Sequence, residues 1–178
     1  MVSLSSAPIT TAADPAQIVV LVRHAEKALA PDDDVGLSEA GRARAEALAQ
    51  ALAGLRPEAI VISQFRRTRE TAAPLADSQT LTPIVVPTES DTAAHARRVA
   101  DVVRTAGRAV VVVGHSNTVP LIIRALGGPA LPEICDTEYA HVFTLLRVPG
   151  EPARLMQSTY GAADPPPAPD CGRTMKQD

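Results

Sequence analysis

The sequence predicts an α/β fold, a three-layer α/β/α sandwich around a mostly parallel sheet. Three observations carry that expectation. Continuous β-branched runs, above all Ile18–Val22 and Ala109–Val113, suit strands covered on both faces. Segments with helical signals alternate with such runs, the order from which parallel sheets are built. Clusters of Arg and His follow three of the strands directly, at the carboxyl ends where sheets of this kind bind ligands.

The elements follow in order. Met1–Gln17 reads as a flexible leader, and the first strand is Ile18–Val22. Ala25–Leu37 carries Pro31, Asp32, Asp33, Asp34 and Gly36 and reads as a loop. Ser38 is placed as an N-cap for a helix to about Ala53, with Leu48 and Leu52 on one face and Gly54 as terminator. A strand over Ala59–Ser63 precedes a helix from about Arg66 to Ala76. Ile84–Val86, between Pro83 and Pro87, is a short strand, and Asp91–Ala106 a helix. Gly114 ends the strand Ala109–Val113. The helix Thr118–Leu126 tolerates Pro120 in its first turn. Val142–Val148 and Ala153–Thr159 read as two strands turned through Pro149 and Gly150. One domain over residues 18–161 results, and 162–178, rich in proline, reads as a disordered tail.

Composition narrows the function classes. The chain has 178 residues, enough for one sizeable core, and 46% are hydrophobic. Aromatic residues make up only 2%, so a stacking platform for single-stranded nucleic acid is not expected. The net charge of −3 offers no broad basic surface for a phosphate backbone. No stretch is long and apolar enough to span a bilayer. The leader lacks a basic start followed by an apolar run, so it is not an intact signal peptide. A cytoplasmic protein and an exported one with its signal removed both fit. Cys135 and Cys171 lack metal-site spacing and are read as two unrelated thiols, a disulfide being expected only after export.

Three clusters carry candidate chemistry. Arg23, His24, Ala25, Glu26 and Lys27 follow the first strand. A neutral imidazole is a good nucleophile toward phosphorus, and an adjacent guanidinium disfavours the imidazolium while gripping phosphate oxygens. Ser63 to Thr71 holds Arg66, Arg67 and Arg69 at a helix start, where free N–H groups favour an anion. Gly114, His115, Ser116, Asn117 and Thr118 follow another strand. Gly114 is expected to let the backbone approach a ligand, and a protonated His115 would meet charge on phosphoryl oxygens. Singly, each cluster is matched by a bland reading: a structural histidine, a solvated basic face, a capped turn. Together they put two histidines and two arginines at three strand ends of one sheet.

In that order the motifs resemble the histidine phosphatase superfamily, the phosphoglycerate mutase-like proteins. Leu21–Glu26 is similar to its Arg-His-Gly/Ala signature, and Leu37–Gly41 followed by Ala45 to its "LSEAG…A" segment. Ser63–Thr71 resembles its "S-x-x-x-R-T-x-x-T" segment and Val113–Ser116 its second-histidine motif. The likeness runs from about Ile18 to Gly128. It implies a phosphoglycerate mutase-like fold and a metal-independent phosphatase with no cofactor. His24 would be the nucleophile, and Arg23, Arg67 and His115 the phosphate pocket. Arg67 is chosen over its neighbours because it directly precedes Thr68. Ser116 is placed beside the phosphate, as is Lys27, at the spacing where the acid-phosphatase branch has an Arg.

Loss of an alkoxide needs a proton, so a carboxylic acid is expected near the leaving oxygen. Glu89 is the candidate acid, with Asp91 as the alternative or as the cap of the next helix. The motif that surrounds the acid in mutases is missing here, and His115 is followed by Ser116 instead of the Asp of acid phosphatases. The size resembles the small phosphatases, including the SixA phosphohistidine phosphatases. Three functions follow: a phosphomonoesterase, a protein phosphohistidine phosphatase, and a phospho-ligand binding module without turnover. The expected partner is a phosphorylated small molecule or phosphoprotein substrate.

Overall fold

A computed structural model describes residues 15–31, 33–166 and 171. Most of the expected leader therefore lies outside the described residues, as do 167–170 and 172–178 of the expected tail. The elements run β1 (Gln17–Arg23), α1 (Glu39–Ala51), β2 (Ala59–Ile62), α2 (Arg66–Gln79), β3 (Ile84–Val85), α3 (Thr92–Thr105), β4 (Ala109–Gly114), α4 (Thr118–Ala125), β5 (His141–Arg147) and β6 (Arg154–Thr159).

The strands form one six-stranded sheet in the order β3-β2-β4-β1-β5-β6. β3, β2, β4 and β1 pair in parallel, while β5 is antiparallel to β1 and β6 to β5. The apolar runs are continuous because both faces are covered. Val19, Leu21, Val61, Val110 and Val112 pack with Val99, Val103, Ile122 and Ile123 of α3 and α4. Val20, Val22, Ile60, Ile62, Val111 and Val113 pack on the opposite side with Leu48, Ala72 and Leu75 of α1 and α2. The expected three-layer α/β/α sandwich around a mostly parallel sheet is the observed architecture.

Local signals act as their chemistry predicts. Ser38 Oγ accepts from the Gly41 N–H at 3.0 Å, and Asp91 Oδ1 accepts from Ala93 and Ala94 at 2.9 Å, so both cap helices. Between β5 and β6 the Glu151 N–H donates to Val148 O at 3.0 Å, with Gly150 at φ 80 after Pro149. A proline then a left-handed glycine is the sequence of a type II turn. Gly54 differs from expectation: α1 ends at Ala51 with Leu52 as its C-cap, and the left-handed residue of that connection is Arg56, at φ 50.

Two findings correct the reading of the C-terminal part. Cys135 and Cys171 are joined by a disulfide, with Cα atoms 5.6 Å apart, and are not unrelated thiols. Asp164, within the expected tail, accepts from the Tyr139 and Ala140 N–H groups at 2.9 Å. Asp164 and Cys171 thus tie the described part of this segment to residues 135–140. A separation of 36 residues between the cysteines leaves no local pattern by which to foresee the pairing.

Candidate active site

Strand order brings the three clusters together. β4 lies between β2 and β1, with Arg23 opposite Gly114 and Ile62 opposite Val113. The residues that follow, His24, Ser63 and His115, therefore emerge side by side at one sheet edge. The His24 N–H donates to Gly114 O at 2.9 Å, carrying the ladder one residue further. The rings of His24 and His115 meet edge-on, with centroids 5.3 Å apart.

His24 is 4% exposed. Its Nδ1 lies 2.8 Å from Ala25 O. A carbonyl only accepts, so Nδ1 carries the hydrogen and Nε2 holds the lone pair. Thr71 fixes the backbone that sets this geometry: its Oγ1 accepts from the Ala25 N–H at 2.9 Å and donates to Arg67 O at 2.7 Å. Burial lowers the His24 pKa to about 3, helped by His115, Arg23 and Arg67 against the bond to Ala25. The ring is neutral at pH 7, and burial contributes more to that than the neighbouring guanidinium does. His115 is likewise lowered to about 3, by burial first and then by Arg67, His95, Arg23 and Lys27. It too is neutral at pH 7 in the unliganded protein, whereas the sequence suggests a role for its cation.

The two arginines are held differently. Arg23 donates through Nη1 to Cys135 O at 2.6 Å and Glu138 O at 3.0 Å, and lies over the Tyr139 ring at 4.2 Å. Arg67 donates to Asp33 O at 3.3 Å and stacks over Phe65 at 4.1 Å. Burial and the charge of Arg23 lower the Arg67 pKa, while Asp34 opposes the shift. The Nε atoms of Arg23 and Arg67 are both buried without a hydrogen-bond partner. Two crowded guanidinium groups with unpaired donors suit a multivalent oxyanion.

The other expected residues lie as follows. Arg66 and Arg69 are exposed, and Arg66 pairs with Glu70 at 3.0 Å. The first N–H of α2 is taken by Asp34 Oδ1 at 2.7 Å, so that donor is not free for an anion. Lys27 is exposed, and its charge is felt at His115. Ser116 Oγ donates to Glu133 at 3.2 Å. Glu89 is exposed and pairs with Arg98 at 2.6 Å. Asp91 is spent on capping α3, and those backbone bonds lower its pKa. Gly114 has a different reason than expected: a Cβ there would lie 2.9 Å from Val119 Cγ2, so the glycine admits α4 against β4.

Several residues escaped sequence reasoning. Tyr139 and Phe65 back the two arginines, and scarcity of aromatic residues was their only signal. His95 is buried on the apolar face of α3, with Nδ1 3.1 Å from Pro87 O. A histidine within an Ala/Val stripe was the available clue. Behind His24, Arg44 binds Glu26 through Nε at 2.9 and 3.0 Å and donates to the carbonyls of Tyr160 and Ala162. Among the described residues no group of three or more His, Cys, Asp or Glu is placed to hold a metal ion. No helix among them is long and apolar enough to cross a membrane.

The sequence model of the histidine phosphatase superfamily (branch 1) matches residues 19–91. No curated protein matches the chain by sequence. Among solved structures, the chain is similar to a mycobacterial glucosyl-3-phosphoglycerate phosphatase at 23% identity and TM-score 0.64, covering 84% of this chain and 100% of that one. It is also similar to a protein assigned as the phosphohistidine phosphatase SixA of Agrobacterium tumefaciens, at 25% identity and TM-score 0.58, covering 83% and 99%. A third likeness is to a protein assigned as an alpha-ribazole-5'-P phosphatase of Escherichia coli, at 14% identity and TM-score 0.63, covering 83% and 97%. At such identities the likeness is one of fold.

Proposed function

We propose that the chain, whose residues 19–91 match the model of the histidine phosphatase superfamily, is a member that hydrolyses a phosphomonoester through a phosphohistidine on His24, without a metal. One observation carries the reading. Ala25 O holds the His24 hydrogen on Nδ1, so the lone pair sits on Nε2, and the charges of Arg23 and Arg67, whose buried Nε donors are unpaired, act on the ring. Nε2 attacks phosphorus in line as the bond to the leaving oxygen breaks. Arg23, Arg67 and His115 meet the charge on the equatorial oxygens. Glu89, or Asp91 in its place, supplies a proton to the leaving oxygen once released from its contact with Arg98 or with the start of α3. A water then attacks phosphorus, the N–P bond breaks, and the carboxylate takes the water's proton, releasing inorganic phosphate. The test is hydrolysis of an aryl phosphate with a chelator present. Wild type is expected to turn over and His24→Ala to be inactive; wild-type turnover by the variant would refute the mechanism.

A second reading, a protein phosphohistidine phosphatase, has its own support. Asp91 caps α3 and Glu89 is paired with Arg98, so neither carboxylate stands free as a proton donor. A phosphoramidate leaves through nitrogen and needs less acid help. This reading expects a Glu89→Gln, Asp91→Asn double variant to keep its activity on a phosphohistidine peptide while losing it on an alkyl phosphate. Loss of both activities counts against it.

A further inference from the structure

Ser63 opens the second motif, yet the mechanism above gives it no part. It is 3% exposed and follows β2 directly. Its Oγ lies 2.9 Å from His115 Nε2 and 3.0 Å from Thr68 Oγ1. Thr68, itself fully buried, has Oγ1 at 2.9 Å from Phe65 O and 3.1 Å from Ser63 O. These four groups form one chain: imidazole, hydroxyl, hydroxyl, carbonyl.

The chain can be occupied in two ways. In one, Thr68 donates to Ser63, Ser63 donates to His115 Nε2, and the neutral ring carries its hydrogen on Nδ1. In the other, His115 Nε2–H donates to Ser63, Ser63 to Thr68, and Thr68 to the carbonyl of Phe65. That second arrangement also suits the imidazolium, whose two N–H groups both donate. Switching between them rotates two hydroxyl hydrogens and moves no heavy atom. Nδ1 of His115 has no partner among the described residues, yet it is not among the sequestered unpartnered atoms, so it keeps accessible surface.

We infer that Ser63, backed by Thr68, is a positioning residue that ties down His115 Nε2 so that Nδ1 presents an N–H to a phosphoryl oxygen, whether the ring is neutral or cationic. The inference rests on the phosphate-pocket reading above. Without Ser63 a neutral His115 has no donor to hold Nε2 as the acceptor, so the Nδ1–H tautomer that a phosphoryl oxygen selects loses its support. In the Nε2–H tautomer Nδ1 turns a lone pair toward phosphate oxygen, which repels instead of binding. The groups whose charge acts on the ring are Arg23 at the end of β1, His24 just after it, Lys27 in the following loop, Arg67 on α2 and His95 on α3.

The test uses the whole chain with 15N-labelled histidine, recorded with and without inorganic phosphate, for wild type and Ser63→Ala. With phosphate, wild-type His115 is expected to show a protonated Nδ1. Ser63→Ala is expected to shift the His115 nitrogen signals and to lower kcat about 10–100-fold with a smaller change in KM, the size typical of losing a partner that orients a functional ligand. Thr68→Ser, which keeps the hydroxyl, is expected to stay close to wild type. An unchanged kcat in a folded Ser63→Ala, or unmoved His115 signals, overturns the inference. Should Ser63→Ala not fold, the wild-type spectrum decides: a bare Nδ1 in the phosphate-bound protein overturns it. If wild type shows no His24-dependent turnover, the catalytic reading fails, while the nitrogen signals still judge the tautomer by themselves.

Discussion

Gly41 links two motifs that lie far from each other in function, and substituting it tests the packing beneath the site. It sits in the first turn of α1, where a Cβ would overlap the carbonyl oxygen of Glu26 and press on the Glu26 C and N atoms at 3.1 Å. That same carbonyl accepts the Ser38 N–H at 2.9 Å, so helix and loop are already locked. Relief requires a shift of about 1 Å, judged against ~3.3 Å for the shortest ordinary C···O contacts. Overpacking against backbone costs about 3 kcal/mol at the upper end, and the gain in helix propensity returns about 1 kcal/mol, a net loss of about 2 kcal/mol. In urea, with a slope of about 2 kcal/mol per molar, Gly41→Ala should lower the unfolding midpoint by about 1 M. Glu26 is two residues from His24, and a displacement of that size can cost about 100-fold in turnover. Gly54, with nothing within 4 Å of a Cβ, is the control, and Gly54→Ala should stay within about 0.5 kcal/mol of wild type. An unchanged or raised midpoint for Gly41→Ala, with full activity, would refute the reasoning.

Other perturbations have equally definite outcomes. Arg44→Met strands the Glu26 and Asp164 carboxylates that now meet a buried guanidinium at 2.8 and 3.6 Å. About 3 kcal/mol or more should be lost, lowering the melting temperature by about 6–12 °C in a thermal scan. His24 and His115 are depressed from 6.5 to about 3, so the unfolded chain binds more protons between those values. Stability should therefore fall as pH drops from 6.5 toward 3, by about 1.4 kcal/mol per pH unit for each ring, and His115→Asn should show a shallower slope in denaturant titrations. The Cys135–Cys171 disulfide closes a loop of 36 residues, so Cys171→Ser should cost about 4 kcal/mol by the chain-entropy estimate. Because Cys135 O accepts from Arg23, the same variant should also weaken phosphate binding in calorimetry. Thiol titration of the unfolded wild type should find free cysteines only after reduction.

Much of this molecule was legible in the sequence because the signals are local. β-branched runs, the caps Ser38 and Asp91 and the turn at Pro149 and Gly150 depend on residues within a few positions of each other. They set every element to within a few residues and placed His24, Ser63 and His115 at strand ends. What the sequence did not determine is what depends on partners distant in the chain. The order β2-β4-β1, which makes His24 and His115 neighbours, comes from burying both faces of the sheet beneath four helices. The grip of the Cys135 and Glu138 carbonyls on Arg23 spans more than a hundred residues, and the bond of Ser63 to His115 spans 52. The pKa values of the two histidines follow from burial that no neighbour in the sequence announces. Residue types named the chemistry; only packing chose which of their atoms meet, and in which protonation state.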